Sequence, residues 1–191
     1  MVVGRGRGRG VMDAIDIIKA EHRNLDRVLG VLGESLDHLS TDGPKPNLDL
    51  LFSIVYYVRV FPDKLHHPKE EQFLFPALLR QRPELSGVVQ ELERQHALGA
   101  QSLDRLDAAL KAFDRDYPKG LEALHDAGRS FIRAQREHMG VEEREILPAA
   151  RACLKGKDWG PISQAFAKNT DPVFGENIDV GFRVLFNRIT R

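Results

Sequence analysis

Four histidines and two glutamates are spaced so that they could share one buried point. His66 and Glu70 are four residues apart, as are His138 and Glu142, so each pair projects a nitrogen and a carboxylate from one face of a helix. His22 and His96 stand alone, each falling where an apolar stripe calls for a hydrophobic residue. Imidazole nitrogen and carboxylate oxygen together suit a divalent cation. Burying Glu70 and Glu142 without one would cost several kcal/mol per ion.

An internal repeat narrows the choice. His66-His67-Pro68-Lys69-Glu70-Glu71-Gln72-Phe73-Leu74-Phe75-Pro76 matches His138-Met139-Gly140-Val141-Glu142-Glu143-Arg144-Glu145-Ile146-Leu147-Pro148 as His-x-x-x-Glu-Glu, with the same step from histidine to proline. The lone histidines precede these motifs by 44 residues (His22 to His66) and 42 residues (His96 to His138). His67 with Glu71 has the same spacing, but its counterpart is Met139 with Glu143. The repeat therefore favours His66 and Glu70 as ligands and assigns His67 and Glu71 to supporting or surface positions. One metal with four imidazoles and two carboxylates is the alternative, but two equivalent halves suit two metals better, each taking two histidines, with both glutamates bridging. Mixed nitrogen and oxygen donors without thiolate favour iron or manganese, tolerate zinc, and argue against copper(I); iron is the expectation.

These side chains must be carried by long helices. Ile15, Ile18, His22, Leu25, Leu29, Leu32, Leu36 and Leu39 form a stripe that predicts a helix over about 13–40, with Asp13 as N-cap. A second stripe over about 48–80 includes Leu51, Val55, Arg59, His66, Glu70, Phe73 and Ala77, and Pro62, Pro68 and Pro76 predict kinks or breaks in it. A third runs from Leu85 through Leu92, His96, Gly99 and Leu103 to Phe113, and a fourth from Leu121 through Phe131, Gln135, His138 and Glu142 to Ala149. The fold class is all-α, an antiparallel up-down four-helix bundle over 13–155. A flexible Arg-Gly leader over 1–12 precedes it and a short helical extension over 156–191 follows. Arg59 and Gln135, on the inward stripes, are candidate helpers of the metal site; the alternative, which the sequence favours, is ordinary hydrogen bonding behind the site or a solvated helix edge. Tyr56 and Tyr57 are core or rim aromatics, and His38 and His125 are ordinary surface histidines.

The chain resembles the hemerythrin-like, or HHE cation-binding, domains over about 13–152, most specifically in Ala20-Glu21-His22-Arg23-Asn24-Leu25 and the two His-x-x-x-Glu-Glu motifs. The resemblance implies a carboxylate-bridged di-iron centre that meets O2, NO or peroxide, with His22, His66, Glu70, His96, His138 and Glu142 as ligands. The invertebrate oxygen carriers place two histidines on the third helix as His-x-x-x-His, whereas here Ala100 stands four residues after His96. The four-histidine, two-glutamate set looks more like the bacterial NO-responsive and iron-sulfur repair branch, without the N-terminal cysteine motif of the repair proteins. The expected function is non-haem di-iron binding or sensing of O2 or NO. The alternative is a di-iron redox enzyme acting on peroxide or NO in detoxification or iron-centre repair. A third reading makes the histidine-glutamate pairs structural or zinc-holding.

Composition bounds the partners. In 191 residues, 28 basic and 28 acidic side chains leave a formal charge of zero, so nothing pulls the chain toward nucleic acid or an anionic membrane surface. No apolar run approaches the roughly 20 residues of a membrane span. The single cysteine, Cys153, excludes an intrachain disulfide framework and points to a cytoplasmic protein, while the resemblance implies a small diatomic or peroxide ligand.

Overall fold

The structure is a computed structural model that describes residues 13–175 and 177–190. The 1–12 leader lies outside the described residues. The first rod is α1 (Ala14–Asp37), where Asp13 caps the helix by accepting a hydrogen bond from the Asp16 backbone amide at 2.9 Å. The second is a composite. It runs through α2 (Asp49–Val60), a π-helical turn (Pro62–His66), α3 (His67–Lys69), a second π-helical turn (Glu70–Leu74) and α4 (Phe75–Gln81). A single 3-10 turn (Pro83–Leu85) leads into α5 (Ser86–Asp116). The last rod joins α6 (Leu121–Val141), a π-helical turn (Glu142–Ile146) and α7 (Leu147–Cys153). Beyond it come α8 (Gly156–Phe166), a 3-10 turn (Val180–Phe182) and α9 (Arg183–Ile189). No strand occurs among the described residues.

The rods close a ring, α1 against α2, α2 against α5, α5 against α6 and α6 against α1, and together form a helical bundle. The turn into α6 needs Gly120, whose φ of 90° is left-handed and would strain any side chain. Inside the ring the buried apolar residues divide into two layers. One contains Leu25, Leu29, Phe61, Leu103 and Phe131, and the other Ile18, Phe75, Leu92 and Ile146. His22, His66, Glu70, His96, His138 and Glu142 fall between these layers in each rod. A polar stratum is thus enclosed by hydrocarbon on both sides.

The prolines act as the sequence predicts, but through π turns rather than a simple bend. Each π turn closes i→i+5 hydrogen bonds and so accommodates one more residue than an α turn, shifting the inward face. The amide of His67 bonds the Pro62 carbonyl, and the amide of Phe75 bonds that of Glu70. Consequently Leu74 and Phe75 are buried and Phe73, expected on the inward stripe, is exposed. The same shift in the fourth rod buries Ile146 and leaves Glu145 in solvent. Arg59 takes the edge position: it reaches outward to Asp104 at 2.9 Å, and at 35% exposure its guanidinium forms a surface ion pair rather than a helper of the site.

The extension docks along the ring. Val173, Phe182 and Leu185 join the first apolar layer, while Ile162 and Phe166 join the second. Tyr57, fully buried, donates to Asp171 at 3.1 Å, and exposed Tyr56 stacks on Phe182 at 5.4 Å. His38 and His125 bond the backbone carbonyls of Glu34 and Leu36, away from the polar stratum.

Close approach of α1 and α6 depends on Gly128, where an added Cβ would lie 2.3 Å from Cδ1 of fully buried Leu36. Gly128→Val should therefore lower unfolding free energy by about 1–3 kcal/mol through overpacking, read from chemical denaturation. An unchanged midpoint and slope would contradict this packing.

Candidate metal centre

The six residues singled out by spacing are brought together, and a seventh joins them. His22, His66, Glu70 and Glu142 offer ligand atoms that all lie within 4.8 Å of one another, and so do Glu70, His96, His138 and Glu142. Glu70 and Glu142 belong to both groups, so their carboxylates stand between two clusters of imidazoles. All six are buried, Glu70 at 0% and Glu142 at 1% exposure.

His67, which the repeat assigns to a supporting or surface position, is the seventh. It is buried, and its ligand atom lies within 4.8 Å of those of His96 and His138, a third cluster. Its ring stacks on that of His96 at 4.1 Å. His67 closes the π turn by donating its amide to the Pro62 carbonyl, and its side chain is buried beside that of His66. A small cavity of about 130 Å³ lined by His67, His96 and Ala100 marks the space left by alanine on α5. Imidazole from the second rod thus faces the region that a second α5 histidine would have filled. Asp63, one turn before His67, is 3.7 Å from its Nδ1 and is pushed up to about 6, mainly by burial.

The outer nitrogen of each of the other four histidines is engaged. Nδ1 of His66 pairs with Glu21 at 2.6 Å, Nδ1 of His22 with Glu143 at 3.1 Å, Nδ1 of His96 with Glu71 at 2.7 Å, and Nδ1 of His138 with Gln95 at 3.0 Å. Holding Nδ1 as a donor fixes the tautomer and turns the Nε2 lone pair inward, which is how proteins orient imidazole toward a metal. The second glutamate of each Glu-Glu doublet supports the lone histidine of the opposite half, and the residue before each lone histidine supports the motif histidine. Glu71 is thereby placed in its expected supporting position. Glu21 and Gln95 were missed, although both immediately precede a lone histidine in the sequence.

The inner faces are unsatisfied. Both oxygens of Glu70, both of Glu142 and Nε2 of His22 are buried with no hydrogen-bond partner. Nε2 of His96 and Nε2 of His138 face each other at 3.1 Å. With metal-nitrogen bonds of about 2.0–2.1 Å, two adjacent ligands on one cation stand about 3 Å apart. Electrostatics agree with this. Burial, then the charges of neighbouring histidines, hold His67 well below the usual imidazole range, and burial holds His138 down to about 4 despite Glu142. Both are neutral donors. Burial would lower His66 as well, but Glu70 and Glu21 carry it well above its ordinary value, so a proton there offsets the carboxylates when no cation does. Orphaned carboxylate oxygens and inward lone pairs fit a cation, and the donor set of imidazole and carboxylate fits a hard or borderline one.

A sequence model of the Hemerythrin HHE cation binding domain matches residues 13–150. The chain belongs to the hemerythrin HHE cation-binding family. Within this hemerythrin-like domain the histidine and glutamate clusters could hold metal. An uncharacterized protein of Haemophilus influenzae is 26% identical over 144 residues, which cover 74% of this chain and 81% of that protein. No helix among the described residues is long and apolar enough to cross a membrane.

Glu71 and Glu143 face away from the inner cluster, so their removal tests the orienting role alone. Glu71→Ala and Glu143→Ala should each weaken cation binding about 10–100-fold in chelator competition. Affinity equal to that of the unaltered protein would show that these contacts do not tune the imidazoles.

Proposed function

We propose that residues 13–155 form an antiparallel up-down four-helix bundle holding two iron ions, that 156–191 are an appended helical extension, and that the centre binds or senses O2 or NO. The antiparallel reading is supported by the order of the apolar layers. Along α1 the chain passes from the layer of Ile18 to that of Leu29, along the second rod from Phe61 to Leu74, and α5 and the fourth rod repeat the alternation.

His22 and His66 would hold one ion and His96 and His138, with His67 as an added donor, the other, with Glu70 and Glu142 belonging to both groups. The observation that carries this reading is the four orphaned oxygens of two fully buried carboxylates lying between two sets of imidazoles. When bound, a pair of irons supplies reversible one-electron redox change and Lewis acidity toward a small ligand. The chain's part is to fix the donors, to exclude bulk water through the two apolar layers, and to admit small molecules. A cavity of about 330 Å³ between α5 and α6 is lined by His67, His96, Gly99, Gln135 and His138, which gives a small ligand a route to one side of the centre. The proposal places the protein in the cytoplasm, supported by the single half-buried Cys153.

A second reading, redox turnover of peroxide or NO, is favoured on its peroxide side by Gln135. Its carboxamide oxygen is buried without a partner beside that cavity, and it can accept a hydrogen bond from a protonated ligand such as hydrogen peroxide. Gly99 leaves the room, since a Cβ there would stand 3.1 Å from the Gln135 amide nitrogen.

Protein grown in iron-rich medium should carry about two irons per chain, and Glu142→Ala about one or fewer. The anaerobic ferrous protein should then show a saturable, reversible optical change with NO or O2. Metal-free, fully folded protein would contradict the proposal. Gln135→Leu should keep its iron and its NO response while losing at least about tenfold in peroxide turnover; equal turnover removes the second reading.

A further inference from the structure

The family match ends at residue 150, yet the chain beyond it reaches the candidate centre. The ring of Phe166, the last residue of α8, meets that of His66 edge-on at 5.8 Å. Just past it, Nδ2 of Asn169 donates to Oε1 of Glu21 at 2.7 Å, and the other carboxylate oxygen of Glu21 takes the His66 Nδ1 contact. The carboxamide oxygen of Asn169 accepts from Lys69 Nζ. One side chain therefore ties α1, α3 and the extension together behind a single imidazole.

This arrangement has no counterpart in the other half. Gln95 occupies the place of Glu21, holds His138, and takes its own support from Glu91 on the same helix. A carboxylate is a stronger acceptor than a carboxamide and makes its imidazole more electron-rich, but a mostly buried carboxylate must be held and partly neutralised. Asn169 and Lys69 do both. The segment carrying Asn169 is itself anchored: Asp171 accepts from Tyr57 and from the backbone amides of Val173 and Phe174 at 2.9 and 3.0 Å, and Val173 is fully buried.

We propose that Asn169 is a positioning residue for the cation held by His22 and His66, acting through Glu21, so that the extension is part of one half of the metal centre. This rests on the two-cation reading above. It makes the two sites unequal, since only one depends on a segment outside the family-matched region.

Full-length metal-free protein titrated with cobalt(II), followed by its visible absorption under chelator competition, tests this without any turnover. The unaltered chain should bind in two resolvable steps. Asn169→Ala should weaken one step by about 10–100-fold and leave the other within about threefold, while Asn169→Gln restores much of the loss. Gln95→Ala should weaken the other step instead. A purely structural role for Asn169 would lower thermal stability and move both steps together. That result, or two unchanged steps in Asn169→Ala, overturns the assignment while leaving the two-cation reading intact. An unaltered chain that takes up no cobalt overturns both.

Discussion

Two carboxylates buried in a hydrocarbon-lined interior, with none of their four oxygens hydrogen-bonded, set the constraint on which the rest of this structure depends. Such groups are expensive unless positive charge sits beside them. The imidazoles supply part of it when protonated, and a cation pair supplies it more fully. Seen from Glu70 and Glu142, the rods, the two apolar layers and the outer acceptors all serve one end. They bring imidazole nitrogens to the carboxylates and keep water from competing.

The site is assembled by exchange between two similar halves. Each half lends the second glutamate of its doublet to the other half's lone histidine, Glu143 to His22 and Glu71 to His96. Neither half can orient its full set of imidazoles alone, which couples the bundle's packing to the geometry of the centre. The symmetry is broken in two places. His67 has no histidine counterpart and adds a donor beside His96, and Glu21 carries a charge where Gln95 does not. The first asymmetry gives one cluster an additional imidazole, and the second connects the other cluster to the C-terminal segment.

Much of this was legible from spacing alone. A histidine replacing a leucine in an otherwise regular stripe, as at His22 and His96, cannot be a random surface residue, and the repeated His-x-x-x-Glu-Glu motif located the inner carboxylates. What escaped was local backbone geometry. Pro62, Pro68 and Pro76 signal interruption but not its form, a pair of π turns, around which His67 is inside and Phe73 outside. In the fourth rod the π turn at Glu142 is announced only by Pro148, at the step that Pro76 takes in the second. Arg59 takes the edge reading rather than the helper one, because a helical stripe does not tell a core position from an edge where an aspartate such as Asp104 waits across the groove. Asn169 and Asp171 carry no periodic signal, since their roles arise from where a loop happens to cross the bundle.

Anomalous diffraction from crystals of the iron-loaded protein, collected on either side of the iron edge, tests the central claim most directly. The account predicts two peaks flanking the carboxylates of Glu70 and Glu142, one beside His22 and His66 and the other beside His96 and His138. A single peak, or iron bound elsewhere with these side chains contacting only one another and water, would contradict it.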